Sequence, residues 1–310
     1  MKRLNVLFMG TPEYSVYTLK KLVEYHNVIG VFCQPDKPVG RKHIITPPPI
    51  KEFALSHNIS VFQPESLKNG DSEAIIRNLC PDLIVVVAYG KILPESILNI
   101  PKYGCINGHA SLLPKYRGAS PIQSCLLNGD SITGVTVMKM DKGMDTGDMI
   151  SKCKIDILED DTAESLFNKL SLVTGDLIIE TIDDIVSGKA VYTPQNSDCA
   201  TACGIITKDM AMLSGSLAPF EALCRIKGFY SWPCAFFTIN GKRFKIHKAT
   251  LGMIHYEDNG VIHIEDNRIY LSFAGGDSLQ LLTVQPEGTK VMADNQIICG
   301  NHLKNGDRID

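Results

Sequence analysis

Apolar residues follow two alternating rhythms through the first half of the chain. Short, largely apolar runs, rich in β-branched residues, occupy positions 4–8, 28–33, 83–88, 105–107 and 135–138. Between them apolar positions recur at helical spacing, as in Val16, Leu19, Leu22 and Val23, and again in Ala74, Ile75 and Leu79. Continuous runs suit strands buried on both faces, and the spaced pattern suits helices with one apolar face. Their alternation predicts an α/β domain, a mainly parallel sheet with helices on both faces. Ligands of such sheets sit beyond the carboxyl ends of the strands. The residues to inspect are therefore 10–12, 34–37, 89–91, 107–109 and the stretch after Met138.

The rhythm then changes. Residues 162–186 read as one long helix, with Asp160, Asp161 and Glu164 at its start and Gly188 at its end. Thr162 with Ser165 offers no capping box, since the fourth residue is not Glu or Gln. Residues 189–205 have no period and read as a linker. A helix is expected at 217–226, followed by strands at 235–239, 243–249, 261–264, 268–273, 278–284 and 296–299. Turn signals separate these strands, among them Asn240-Gly241 and Gly275-Gly276-Asp277. Short strands at such intervals predict a small barrel of the five-stranded, OB-like kind. The expected domains are 1–188, a linker at 189–205 and a barrel at 206–310.

Length and composition agree with two domains. The chain has 310 residues, 44% hydrophobic and 21% charged. No run of 18 apolar residues occurs, so no membrane helix is expected. The run after Lys2 and Arg3 resembles the start of a leader, but Gly10-Thr11-Pro12-Glu13 ends it, and it reads as a first strand. Ten cysteines are scattered without a Cys-x-x-Cys pair. A cytoplasmic protein with reduced thiols is expected, and no zinc site at Cys199 and Cys203. The net charge of −3 does not announce a nucleic-acid partner, which would have to be met by local patches. Neither a dinucleotide fingerprint nor a Walker A sequence is present.

Three segments could carry chemistry. In the first, residues 105–121, Asn107 and His109 lie two apart at a strand end and so point to one side. An amide and an imidazole facing one spot can both donate to a developing oxyanion; the plainer reading is a strand terminus and a packed loop histidine. The second, residues 140–149, carries Asp141, Asp145 and Asp148. One of them could face His109 and orient the imidazole, although spacing alone does not say which, and no calcium-loop pattern fits them. The third, residues 34–49, holds five prolines with Lys37, Arg41 and Lys42. A stiffened basic loop at a strand's carboxyl end suits a phosphate backbone, or is simply solvated.

These segments resemble the methionyl-tRNA formyltransferase family. The likeness runs nearly end to end: Phe8-x-Gly-Thr-Pro12, Gln34-Pro-Asp-Lys-Pro-x-Gly-Arg41, Val85-Val-Val-Ala-Tyr-Gly90, Asn107-x-His-Ala-Ser-Leu-Leu-Pro114, Met144-Asp-Thr-Gly-Asp148, then Trp232-Pro233 and Asn240-Gly-Lys242. The central motifs are specific for folate-dependent formyl transfer, while the basic loop and the barrel favour the tRNA enzyme. The resemblance implies a Rossmann-like formyltransferase domain and a barrel that binds tRNA. It implies 10-formyltetrahydrofolate as donor, initiator methionyl-tRNA as acceptor, no metal, no membrane and a monomer.

It also implies roles. Asn107, His109 and Asp145 would be catalytic. Tyr89, Gly90, Lys91, Ile92, Ser111, Leu112, Leu113, Pro114, Met140 and Asp141 would line the folate pocket. Arg41 would engage the tRNA acceptor end. The residues themselves add Lys37 and Lys42 of the same basic loop as candidates for tRNA, and in the barrel a cluster of Lys242, Arg243, Lys245 and Lys248, with Arg243, Lys245 and His247 on one side of their strand and Lys242 and Lys248 on the other; that strand could track RNA, or is simply a solvated face. Three positions depart from the family: Gly108, where a small apolar residue is usual and where added backbone freedom is expected to loosen the site; Ile205, in place of a lysine; and Ser214-Gly215, in place of Asp-Trp. The alternatives are a formyltransferase acting on a sugar nucleotide or other small amine, and an inactive RNA- or folate-binding module.

Overall fold

The computed structural model of the protein describes residues 3–40 and 43–310. Arg41 and Lys42 lie outside the described residues. The chain divides into two compact units, residues 1–121, 132–156 and 167–204 in the first and 122–131, 157–166 and 205–310 in the second.

In the first, β1 (Asn5–Gly10) leads through α1 (Val16–Tyr25) to β2 (Asn27–Phe32) and a hairpin of β3 (Lys37–Val39) and β4 (Ile44–Thr46). Then come α2 (Pro49–Ser56), β5 (Val61–Phe62), α3 (Asp71–Leu79), β6 (Leu83–Val87), α4 (Glu95–Leu98), β7 (Cys105–His109) and β8 (Arg117–Gly118). Beyond α5 (Pro121–Leu127) follow β9 (Ile132–Lys139), β10 (Met149–Asp156), α6 (Ala163–Ser187) and β11 (Ala202–Cys203). Seven strands form one sheet in the order β10-β9-β7-β6-β1-β2-β5. It is parallel from β5 to β7 and antiparallel at β7–β9 and β9–β10.

The five residues of β6, Leu-Ile-Val-Val-Val, are all buried. Strand β10 escaped the sequence reading for the opposite reason: at the sheet's edge it buries only Met149 and carries Lys152 and Lys154, so no apolar run marks it. The start of α6 corrects another expectation. Thr162 N–H donates to Ser165 Oγ at 3.0 Å and Ser165 N–H to Thr162 Oγ1 at 3.3 Å. This is a reciprocal cap with a serine hydroxyl in the place of a Glu or Gln.

The second unit holds α7 (Pro219–Gly228), β12 (Phe236–Ile239), β13 (Lys242–Leu251), β14 (Ile262–Glu265), β15 (Arg268–Ser272), β16 (Ser278–Pro286), β17 (Met292–Ala293) and α8 (Asp294–Cys299). Its antiparallel sheet runs β12-β13-β16-β15-β14, with β17 on β16. Residues 306–310 link its two edges: Ile262 N–H donates to Asp307 O at 2.8 Å, and Asp310 N–H to Thr238 O at 2.8 Å. The sheet thereby curls around a core of Phe237, Phe244, Ile246, Leu271, Phe273, Leu279, Leu281 and Val284, a small barrel-like unit. The strand expected at 296–299 is the helix α8. Two adjacent isoleucines suggested β structure there, but only Ile297 is fully buried and Gln296 Oε1 caps the turn by accepting from Ala293 N–H.

Candidate active site

β7 lies between β6 and β9, with Asn107 beside Val86 and Met138, and His109 beside Thr136. The strand's alternation turns both side chains to one side, and both meet Asp145 from the loop between β9 and β10. Asn107 Nδ2 donates to Asp145 Oδ1 at 3.3 Å, and His109 Nδ1 lies 3.6 Å from Asp145 Oδ2. The backbone N–H of Gly118 donates to the same Oδ2 at 2.8 Å. His109 is buried, and its Nε2 donates to the carbonyl of Tyr116 at 2.8 Å. Both ring nitrogens thus face oxygen atoms that can accept.

Of the three loop aspartates, geometry selects Asp145. Asp141 is spent on its own turn, accepting from Gly143 N–H at 3.0 Å and from Thr146 Oγ1 at 2.7 Å. Asp148 meets β9 through its carbonyl, which accepts from Lys139 N–H at 2.9 Å.

Gly108 does not loosen the pair around it. It is buried and paired with Val137 of β9. A Cβ there would lie 2.6 Å from Thr174 Cγ2 and 3.0 Å from Ile178 Cδ1, so α6 fills the space a side chain would need. The glycine is a packing choice matched by Thr174, whose hydroxyl bonds Tyr14 Oη and Leu170 O, each at 2.7 Å.

Residues that the sequence reading passed over hold the backbone around this carboxylate. Gln195 Nε2 donates to Asp145 O and to Gly147 O, each at 2.8 Å. Gln195 Oε1 accepts from Arg117 Nε at 3.0 Å and from Nη2 at 2.8 Å. Tyr116 N–H donates to Thr201 Oγ1 at 2.9 Å, and β11 pairs in parallel with β8. Of the stretch 189–205, read above as a linker, residues 189–204 cluster with the first unit. The only sign of this in the sequence was its length, since long aperiodic segments in compact chains tend to be functional.

The expected folate-lining residues divide by position. Tyr89 is buried among Met9, Phe32 and Leu93. Burial pushes its phenol well above the ordinary range, and its carbonyl accepts from Thr11 Oγ1 at 3.2 Å and Gln34 Nε2 at 3.0 Å. Gly90 and Ile92 are exposed beyond it. Lys91 turns back to the carbonyls of Pro64 and Glu65, and desolvation lowers its ammonium pKa. Ser111 is buried and donates to Lys115 O at 2.6 Å. Leu113 packs on Met138 and Met149, Leu112 reaches toward Gly134, and Pro114 O accepts from Thr201 N–H at 3.3 Å. Met140 packs partly against the Tyr89 cluster, and Asp141 is exposed in its turn.

The cations stand apart from this geometry. Lys37 is exposed at the start of the β3–β4 hairpin. The base of that hairpin is tied down at Asp36, which accepts from Lys51 Nζ at 2.8 Å and from Gln63 Nε2 at 2.7 Å; the Lys51 ammonium holds its carboxyl below the ordinary value. On β13, Lys242 Nζ sits 5.6 Å from the Phe244 ring centre and the Arg243 guanidinium 4.4 Å from that of Phe236. Lys245 is half-buried. The simple alternation expected along β13 fails at a bulge between Ile246 and Ala249. Phe244 and Ile246 face the core and so does Ala249, so Lys248 does not share the side of Lys242. The departures also find places: Ile205 is exposed, and a Cβ at Gly215 would lie 2.6 Å from the Gly260 Cα, where two backbones meet too closely for a side chain.

Among the described residues no helix is long and apolar enough to cross a membrane, and no three His, Cys, Asp or Glu side chains gather to hold a metal ion.

Comparison with known proteins agrees along the whole chain. The Formyl transferase family model matches residues 2–182, and Formyl transferase, C-terminal domain, matches 205–302. Methionyl-tRNA formyltransferase of Agathobacter rectalis is 45% identical over 306 residues, covering 98% of each chain. That of Bacillus subtilis is 40% identical over 306 residues, covering 98% of this chain and 96% of its own. Among solved structures, a sugar 3N-formyl transferase superposes with a TM-score of 0.67 at 19% identity, over 94% of this chain and all (100%) of that one. The methionyl-tRNA formyltransferase of Clostridium thermocellum superposes with a TM-score of 0.56 at 19% identity, over 80% of this chain and 94% of that one, so both share the fold. Matched in both parts and at 45% identity across nearly its full length, the chain belongs to the methionyl-tRNA formyltransferase family.

Proposed function

We propose that this protein transfers the formyl group of 10-formyltetrahydrofolate to the α-amino group of initiator methionyl-tRNA, with Asn107, His109 and Asp145 as its catalytic residues. One observation carries the assignment of the site: an amide, an imidazole and a carboxylate from two distant segments converge at the carboxyl end of β7. The neutral amine attacks the formyl carbon, a C–N bond forms, and the carbonyl oxygen becomes an oxyanion. Asn107 keeps one Nδ2 hydrogen on Asp145 and has the other for the oxyanion. His109 places its charge beside it and, when Nε2 leaves the Tyr116 carbonyl, adds a second hydrogen bond. Asp145 holds the ring's other nitrogen and takes the amine's proton through water. The bond to folate N10 breaks, N10 recovers the proton, and the formylated aminoacyl-tRNA departs. The bound folate is a substrate, and the chemistry above requires no covalent enzyme intermediate.

The acceptor is favoured by the full-length likeness to methionyl-tRNA formyltransferases and by the exposed cations Lys37, Lys242 and Arg243. The folding likeness to sugar formyltransferases keeps a small amine as the second reading. The deciding experiment incubates the full chain with 10-formyltetrahydrofolate and aminoacylated initiator tRNA and detects formyl-methionine. Formylation of an amino sugar nucleotide at a kcat/KM equal to or above that for the tRNA would reverse the choice.

A further inference from the structure

We propose that Gln195 is a positioning residue for formyl transfer: by gripping the backbone of the Asp145 loop it sets the carboxylate against His109, which makes the stretch 195–203 part of the catalytic apparatus. The proposal rests on the reading of Asp145 as the carboxylate partner of His109.

Asp145 has φ 55°, in the left-handed region. Asp tolerates that region better than most residues with a side chain, yet it is not the backbone's preferred state, and contacts around it fix the choice. A single amide group does much of the holding. Nε2 of Gln195 lies 2.8 Å from the carbonyl of Asp145 itself and 2.8 Å from that of Gly147. The amide cannot be turned over, because its oxygen faces two donors of Arg117 and its nitrogen faces two carbonyls. The guanidinium of Arg117 directs two adjacent N–H groups at that one oxygen, which fixes its position.

The contacts close into a ring. Gly118, next to Arg117, donates its N–H to the Asp145 carboxylate. So the side chain of Asp145 is fixed by β8, and its backbone is fixed by a glutamine that β8 also fixes. The loop has little room to escape: a Cβ at Gly147 would fall 1.7 Å from Lys139 O, and one at Gly118 would fall 2.2 Å from Cys203 O. A second residue in left-handed backbone, and a bulkier one, depends on the same stretch. Tyr116, at φ 61°, carries the carbonyl that accepts from His109, and its N–H donates to Thr201 Oγ1. The partners of both His109 nitrogens are therefore tied to residues 195–201, none of which needs to touch a substrate.

The experiment uses the full chain with Gln195→Ala, Gln195→Glu, Asp145→Asn and the double variants, measuring kcat, KM for each substrate and thermal unfolding. Gln195→Ala is expected to lower kcat roughly 10- to 100-fold, the scale of a misplacement near 1 Å, with KM within about twofold. Gln195→Glu is nearly the same shape and still accepts from Arg117, but it cannot donate to Asp145 O or Gly147 O. It should lose kcat as Gln195→Ala does while unfolding near the parent's temperature. In the Asp145→Asn background Gln195→Ala should change kcat by less than about twofold, because its action passes through that carboxylate. Parental kcat in Gln195→Glu, or an undiminished loss in the Asp145→Asn background, would overturn the proposal. A normal kcat in Asp145→Asn alone would remove the reading of Asp145 and the proposal together. A strong loss there beside a normal kcat in Gln195→Ala would remove the proposal and leave that reading intact.

Discussion

The end of β7 and the outer face of β13 both gather polar residues, and they are built in opposite ways. Around His109 the polar groups are held by partners from separate stretches of chain, Tyr116 and Gly118 on one side, Asp145 on another and Gln195 on a third. Two residues there sit in left-handed backbone. Along β13 the cations lie close together in sequence and stand in or near solvent, and two of them, Lys242 and Arg243, lean on aromatic faces. A group that must meet a transition state has to be held before the reaction, since reorganising it then would cost rate. A group that meets a phosphate backbone gains by remaining free to adapt. The first region should therefore respond to substitution in kcat and steeply, and the second in salt-dependent affinity and by small steps.

The largest effect tests the first half of that contrast. Asn107→Ala and His109→Ala should each lower kcat roughly 10²–10³-fold, the scale for loss of an oxyanion donor, with tRNA affinity unchanged in a binding assay. Folding should persist, because neither is a large apolar core residue. If both folded variants turn over within about threefold of the parent, the end of β7 is not the reacting centre, and the contrast with β13 loses its basis.

A smaller effect tests how tightly the first region is packed. Gly108→Ala adds a methyl group 2.6 Å from Thr174 Cγ2. Overpacking of this kind typically costs about 1–3 kcal/mol. Thr174→Ser removes that methyl and keeps the hydroxyl that bonds Tyr14 and Leu170, so alone it should cost about 0.8 kcal/mol, one buried carbon. Together the two changes should restore stability to within about 1 kcal/mol of the parent. Urea midpoints of the four proteins measure this cycle, and strictly additive losses would show that Thr174 does not shape the site.

The same glycine shows how far the sequence could be read. The sheet was legible because β1, β2, β6, β7 and β9 are buried runs, and burial on both faces leaves a continuous apolar signature. Asn107 and His109 were legible because a strand's period of two needs no knowledge of the rest of the chain. Asp145 could not be told from Asp141 and Asp148 by spacing, since the choice depends on a turn in which Asp141 binds Thr146. Gly108 looked like freedom because its partner, Thr174, lies 66 positions along the chain in α6. Gln195 was invisible for the same reason: its donors and acceptors at 117, 145 and 147 meet only after folding. β10 and α8 show the limits of local pattern, one an edge strand without an apolar run and the other a helix with a β-like composition.

The smallest effect belongs to β13, and it depends on choosing the right cation. Arg243 is a poor test, because its guanidinium lies 4.4 Å from the centre of the Phe236 ring. Its loss would remove a cation–π contact worth about 0.5–1 kcal/mol and confuse binding with stability. Lys242 shares that difficulty through Phe244, a core residue. Lys245 makes no cation–π contact among the described residues and lies on the same side of the strand as Arg243, ahead of the bulge at Ile246. If this side of β13 tracks RNA, Lys245→Ala should reduce the slope of log affinity for tRNA against log salt by about one unit, the share of one phosphate contact. At saturating tRNA its kcat should equal the parent's, since it stands in the flexible region of the comparison and not in the fixed one. A salt slope identical to the parent's would remove this face of β13 from the tRNA interface, and a fallen kcat at saturation would mean that the two regions are not as separate in function as they are in construction.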